Sequence, residues 1–286
     1  MGTLRIATLN IGNKSGPWSD RLRLIRGEIE RLQPAVLGLQ EVLRYAPPGL
    51  EGCEPLSSNC QATEIAEGLT YTVAYAVAND YAHGLKLGNA LLSRYPLSDV
   101  RTFTLPGADT GETRSLLSAL VQTPLGVLPV FVTHLNWKLH HGFVRMQQVR
   151  FIVERVFELA PVRGEHLPPV VLGDFNAEPD SDEMRFLRGL KIDEGKSVYF
   201  ADAWLYGGDG TPGTTFDRSN GFAARAREPS RRIDYIFVRG PDSLLRGEPR
   251  HTELAFHQPQ SGASGTVWPS DHFGLYTDVW LAPRDA

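Results

Sequence analysis

Short apolar runs, each ending on a polar residue, constrain this chain more than any other feature. Val170-Val171-Leu172-Gly173 stops at Asp174, residues 35–39 deliver Gln40-Glu41, and residues 4–10 alternate apolar with polar and close on Asn10. Runs of this length and alternation read as strands. Further strands are expected over 71–77, 89–93, 116–122, 127–133, 233–238 and 273–281, with Thr123-Pro124-Leu125-Gly126 as a hairpin turn. Between them the apolar spacing changes to a helical period. Asp20 reads as the N-cap of a helix to about Leu32, with Leu22, Ile25, Ile29 and Leu32 on one face and Pro34 ending it. A long amphipathic helix is expected over 142–160 and short ones over 61–68 and 182–189. Residues 43–59 and 207–229 read as long loops, rich in Pro, Gly and Ser or in Gly.

Strand pairs in succession with occasional helices predict an α/β (α+β) four-layered sandwich: two packed mixed β-sheets flanked by helices. At 286 residues, 42% of them hydrophobic, the chain can bury a large core, and no repeat or linker divides it, so residues 1–286 are expected to form one domain.

The polar strand ends are the candidate site. His134 closes the hairpin strand, Asp234 lies between Ile233 and Tyr235-Ile236-Phe237, and Asp271-His272 precede Phe273. Strand ends in a sandwich converge at a rim, a natural floor for a site. Asp234 is the most telling, because a carboxylate in an apolar strand is costly to bury without a partner. His272 would supply one and be held in one tautomer by it.

What is missing narrows the chemistry. Gly-x-Ser-x-Gly and a Walker loop are absent, so acyl transfer and nucleotide-driven work have no support. The two cysteines, Cys53 and Cys60, have no nearby histidines for a metal site, and reduced thiols are expected. The net charge of −4 disfavours polyanion binding through bulk charge, although a bound divalent cation would supply positive charge locally. No basic-then-apolar leader and no apolar run of about 18 residues is present, so a cytoplasmic protein without stable membrane insertion, and a monomer, is expected.

Thr8-Leu9-Asn10, Gln40-Glu41-Val42, residues 88–96 (Gly-Asn-Ala-Leu-Leu-Ser-Arg-Tyr-Pro), Thr133-His134-Leu135, Gly173-Asp174-Phe175-Asn176, Arg232-Ile233-Asp234-Tyr235 and Ser270-Asp271-His272 occur in that order. In this ordered set the chain resembles the endonuclease/exonuclease/phosphatase superfamily, over residues 8–275. That superfamily includes pancreatic-type deoxyribonucleases, abasic-site endonucleases, neutral sphingomyelinases, inositol polyphosphate 5-phosphatases and poly(A)-shortening nucleases. The resemblance implies a hydrolase of phosphate esters using Mg²⁺, with Mn²⁺ as a substitute. Glu41 would be the principal metal ligand, helped by Asn10 and Asp271. Asp174 would orient or deprotonate the attacking water, Asn176 would bond a phosphoryl oxygen, and His272, held by Asp234, would contact the phosphate. His134 matches the second histidine of deoxyribonuclease-like and sphingomyelinase-like members.

Arg114, Asn89, Phe216, Asn220 and Trp268 are candidates for substrate binding: Arg114 and Asn89 by the family's layout, Phe216 and Asn220 in the glycine-rich loop, Trp268 as a pocket wall. By the same layout Glu112 would orient His134. Val171-Leu172-Gly173-Asp174-Phe175-Asn176-Ala177-Glu178 lacks the arginine of the inositol 5-phosphatases, and Ile233-Asp234 lacks their Cys-Asp-Arg. The leading expectation is a phosphodiesterase with nuclease activity, its partner a phosphate-ester substrate such as nucleic acid. A hydrolase of a small or lipid phosphoester, and a binding module that has lost catalysis, stay open as alternatives.

Overall fold

The structure, a computed structural model, describes residues 2–45, 59–162, 165–262 and 265–282. In chain order its strands are β1 (Thr3–Asn10), β2 (Val36–Tyr45), β3 (Thr72–Asp80), β4 (Leu85–Ser93), β5 (Leu97–Thr104), β6 (Ser115–Thr123) and β7 (Gly126–His134). They continue as β8 (Val170–Asp174), β9 (Ala201–Asp202), β10 (Asp234–Val238), β11 (Glu248–Ala255), β12 (Gln260–Gly262), β13 (Gly265–Val267) and β14 (Gly274–Trp280). The helices are α1 (Trp18–Leu32), α2 (Gln61–Ala66), α3 (Gly142–Leu159), α4 (Asp182–Leu187) and α5 (Ala203–Gly207).

Two six-stranded sheets, ordered β11-β14-β1-β2-β4-β3 and β5-β6-β7-β8-β10-β9, face each other. Leu4, Ile6, Val36 and Leu91 of the first interleave with Leu117, Val130, Val132, Leu172 and Ile236 of the second. Alternate residues point the other way. Ala7, Leu9, Leu37 and Leu39 bury against Ile25 and Ile29 of α1, and Phe131, Val171, Tyr235 and Phe237 against Val149, Ile152 and Val156 of α3. Central strands covered on both faces explain the unbroken apolar runs. The layers are helix, sheet, sheet, helix.

Each sheet carries at its middle one parallel pair joined by a helix: β1-α1-β2 and β7-α3-β8. Parallel neighbours end on the same edge, so Asn10 lies beside Gln40 and His134 lies opposite Asp174 in register. The strands flanking these pairs, β14 and β4 in one sheet and β6 and β10 in the other, run antiparallel and so begin on that edge: Asp234 pairs with Asp174, Leu275 with Thr8 and Leu116 with Thr133. One edge of the sandwich thereby collects the ends of eight strands.

Some boundaries differ from expectation. α1 starts after Pro17, placing Asp20 in its first turn rather than at the cap, and the buried face is Arg21, Ile25, Ile29 and Leu32 with Leu22 half-buried. β2 does not stop before Glu41 but continues to Tyr45 across a bulge between Leu39 and Val42. β5 and β11 were not expected as strands. Each is the outer strand of its sheet, β5 mostly exposed and β11 carrying Pro249, so neither has the burial that produces a clear period. Cys60 is buried with a free thiol, whereas Cys53 and most of 43–59 lie outside the described residues. Among the described residues, no helix is long and apolar enough to cross a membrane.

At Gly173 the central strands β7 and β8 leave no room for a side chain. The glycine φ is +142°, and a Cβ there would stand 1.9 Å from the Thr133 carbonyl oxygen on β7. Gly173→Ala must push β7 and β8 apart just before Asp174. The expected cost is about 3 kcal/mol or more, read as a fall in Tm of roughly 5–10 °C; an unchanged melting curve would refute this packing.

Candidate active site

The edge described above floors a trough of about 460 Å³, lined by Glu41, Asp174, Asn176, His134, His272 and Arg114 and walled by Tyr81 and Trp137. Asp174 stands at its centre. Its Oδ2 accepts the Asn10 amide at 2.9 Å and lies 3.3 Å from His134 Nε2 and 3.8 Å from His272 Nε2. Its Oδ1 accepts the backbone N–H of Asn176 at 2.9 Å. The Asn176 backbone is left-handed (φ 50°), which turns its side chain back so that Nδ2 reaches the Leu135 carbonyl at 3.1 Å. Asn and Asp tolerate that region better than other L residues.

Burial pushes the Asp174 carboxyl up, the neighbouring Asp234 charge adds to this, and His272 and Asn10 offset part of it, so it titrates at about 7. Asp234 is fully buried; its Oδ2 holds His272 Nδ1 at 2.9 Å, while Oδ1 has no hydrogen-bond partner among the described residues. Burial opposes the charged imidazolium of His272, but Asp234, Asp174 and Asp271 outweigh it and hold the ring protonated well above the usual histidine range. His134 goes the other way. Burial, reinforced by the Arg114 and His272 charges, keeps it neutral.

Glu41 sits in the β2 bulge with φ 56°. The bulge re-aims its side chain, and its two carboxylate oxygens accept amides of Asn10 (3.2 Å) and Asn13 (3.1 Å). Asp271 faces an adjoining cleft of about 210 Å³ shared with Gly12, Arg21 and Arg225, and its Oδ1 accepts the Ser270 hydroxyl at 3.1 Å. That hydroxyl shares its one proton with the closer Asn10 carbonyl at 2.6 Å, tying the two segments together. Among the described residues, neither Glu41 nor Asp271 forms an ion pair with a side-chain cation. Hard oxygen donors without a cationic partner suit a divalent metal ion. Asp174, Asp234 and His272 also bring one ligand atom each within 4.8 Å of one another. In that cluster, however, His272 spends Nδ1 on Asp234 and is held protonated, so it serves as a hydrogen-bond donor.

The second-tier candidates divide. Arg114 lines the trough, is buried, bonds Glu112 and has an Nε without a partner among the described residues. Glu112 also takes the Asn136 amide, so it braces Arg114 and Asn136 rather than His134. Asn89, Phe216, Asn220 and Trp268 lie outside the trough lining. Asn89 donates to the Ser115 carbonyl at 2.9 Å, stitching the two sheets together. Asn220 is fully buried between the Ser270 carbonyl (2.8 Å) and the Phe222 N–H (2.9 Å). Phe216 packs edge-on against His272 with centroids 5.1 Å apart, and Trp268 packs on Phe273. The glycine-rich loop thus supports the site from behind: Thr215 Oγ1 takes the backbone N–H groups of Ile233 and Asp234.

Arg21 also serves the site from behind. Buried in α1, it donates to the carbonyls of Ile11, Ser15 and Pro269 and so fixes the loop after Asn10 against the segment leading to Asp271. Its sequence signal is a cation four residues before Ile25 on the buried face of the helix.

The profile of the Endonuclease/Exonuclease/phosphatase family matches residues 7–272. The chain belongs to this family. Members of the endonuclease/exonuclease/phosphatase family are typically divalent-metal-dependent phosphoesterases. No curated protein matches this sequence. Among solved structures, the family member from Leptotrichia buccalis C-1013-b superposes with a TM-score of 0.69 at 17% identity, covering 96% of this chain and 99% of that one. The family member from Beutenbergia cavernae DSM 12333 does so at 0.69 and 22% identity, covering 99% and 72%. D. rerio TDP2, solved with a single-strand DNA product, gives 0.68 at 20% identity, covering 98% and 99%. At these identities the likeness establishes the four-layered fold.

Proposed function

We propose that the protein is a Mg²⁺-dependent phosphodiesterase with nuclease activity, cutting its ester by in-line attack of water. The observation that carries this reading is Asp174. It is a buried carboxylate fixed by Asn10 and Asn176, titrating near neutral pH, and standing between one neutral and one protonated histidine.

Asp174 orients the water and takes its proton; a base titrating at about 7 is matched to that task. His272, kept charged by Asp234, donates to a phosphoryl oxygen and offsets the charge that builds there. Asn176 adds an amide donor on the same side. The neutral His134 attends the leaving oxygen, and Arg114 draws the ester anion into the trough. Glu41, with Asn10 and Asp271, would hold the cation, whose chemistry is to neutralise the anionic oxygens that repel a nucleophile.

The test is hydrolysis of bis-p-nitrophenyl phosphate and of single- and double-stranded DNA and RNA with Mg²⁺ or Mn²⁺. Turnover that EDTA abolishes and the cation restores is expected. Failure on this panel and on phosphomonoester and lipid panels would defeat the reading. Glu41→Gln keeps the shape of the side chain and removes its charge, so calorimetric Mn²⁺ affinity should fall about tenfold or more. Unchanged affinity would move the cation elsewhere.

A further inference from the structure

Four of the five tryptophans have a visible structural job. Trp18 donates to Glu64 at 2.7 Å, Trp204 to the Thr211 carbonyl at 2.8 Å, Trp268 packs on Phe273, and Trp280 lies under the Arg250 guanidinium. Trp137 is different. It is 52% exposed, and among the described residues its indole makes no hydrogen bond, ring contact or cation contact. Its backbone, by contrast, is pinned on both sides. The Asn136 N–H donates to Gln148 Oε1 at 3.0 Å, and the Lys138 N–H donates to Asn136 Oδ1 at 3.1 Å. The side chain of Asn136 is itself tied to Glu112.

Tyr81, 47% exposed in the connection between β3 and β4 of the other sheet, has the same character. Its N–H is fixed to the Leu85 carbonyl at 2.8 Å, while its ring and hydroxyl make no bond or ring contact among the described residues. Both rings line the trough that holds Asp174 and His272, with Arg114 and Lys138 between the same walls. A large apolar face left bare on a rigid backbone is ordered in advance for a ligand. Cations beside it ask that the ligand carry phosphate as well as a flat apolar group.

We infer that Trp137 and Tyr81 are base-stacking residues of the trough, which grip unpaired nucleobases next to the phosphate to be cut. This rests on the phosphodiesterase reading above and narrows it to single-stranded nucleic acid. Stacking needs a free base face, which a paired and stacked duplex base does not present, and it tolerates any sequence because every base has such a face.

The experiment compares KM for an eight-residue oligothymidylate with KM for the same oligomer built of abasic tetrahydrofuran units, in wild type, Trp137→Phe, Trp137→Ala and Tyr81→Ala. Both side chains are half-exposed, so folding should survive truncation. Wild type should favour the base-bearing oligomer by roughly tenfold or more in KM. That ratio should collapse toward one in Trp137→Ala, shrink in Tyr81→Ala and largely persist in Trp137→Phe.

A wild-type ratio near one, or a ratio retained in Trp137→Ala, overturns the inference while the nuclease reading stands. Turnover of bis-p-nitrophenyl phosphate but of neither oligomer overturns the inference and the nuclease reading together. No turnover of any ester overturns the phosphodiesterase reading itself. Sphingomyelin vesicles form a second arm, since Leu139 and Phe143, within six residues of Trp137 in the chain, are also exposed. If Trp137→Ala loses vesicle hydrolysis with the oligomer ratio intact, Trp137 serves a lipid surface and the inference falls.

Discussion

Asp174→Ala should lower kcat/KM for bis-p-nitrophenyl phosphate by about 10³-fold, with the melting temperature held or raised. The two halves of that expectation come from one feature. Asp174 is placed at the end of β8 by a strand whose every residue is buried, so its carboxylate is fixed but poorly solvated. Burial and the Asp234 charge both oppose its ionisation. Removing it relieves that repulsion without emptying a hydrophobic cluster; the Asn10 amide it bonded still reaches Glu41, and the relief offsets the loss of the acceptor for the Asn176 N–H. The reaction, however, loses the one carboxylate that faces both histidines. Activity within tenfold of wild type would assign the water to another group. A large fall in Tm would mean that Asp174 is a structural bond first.

Why some of this was legible in the sequence and some was not follows from burial. β1, β2, β7, β8, β10 and β14 are central strands whose apolar faces are both covered, so hydrophobicity alone marks them, and the polar residue that ends or begins each one stands out. Asn10, His134, Asp174 and Asp234 were visible for that reason. β5 and β11 are outer strands with little to bury, and their sequences carry no such mark.

Glu41 was visible as a residue, but its bulge was not. A bulge is one extra residue opposite a neighbouring strand, and pairing register is set by β4, far away in the chain. Phe216 and Asn220 stand in a loop that does reach the site, yet they face its back. Which side a loop residue presents depends on bonds such as Asn220 to the Ser270 carbonyl, which links positions 50 apart. Trp137 shows the converse: an exposed tryptophan three residues past the end of β7 stands out only once its neighbours are known to leave it bare.

Asp234→Asn should cost about 10²–10⁴-fold in kcat/KM while leaving the protein folded. The substitution keeps the size of the side chain and removes its charge. In the wild-type protein the imidazolium of His272 exists against the cost of full burial because Asp234 Oδ2 lies 2.9 Å from Nδ1 and Asp174 and Asp271 stand nearby. An amide at 234 withdraws the closest of these charges, so the His272 pKa must move down. A ring that was a charged donor at neutral pH becomes a neutral one, and it is no longer held in one tautomer. Histidine ring resonances, followed by NMR in the presence of chelator, give the readout that a merely structural role would not move. At pH 7 His272 should report an imidazolium in wild type and in Asp174→Asn, and a larger neutral fraction in Asp234→Asn. Asp174→Asn is the sharper control, because it too removes a carboxylate charge near His272 but leaves the Nδ1 bond intact. An Asp234→Asn enzyme with wild-type turnover and an unshifted His272 would show that Asp234 only fills the core where β10 begins.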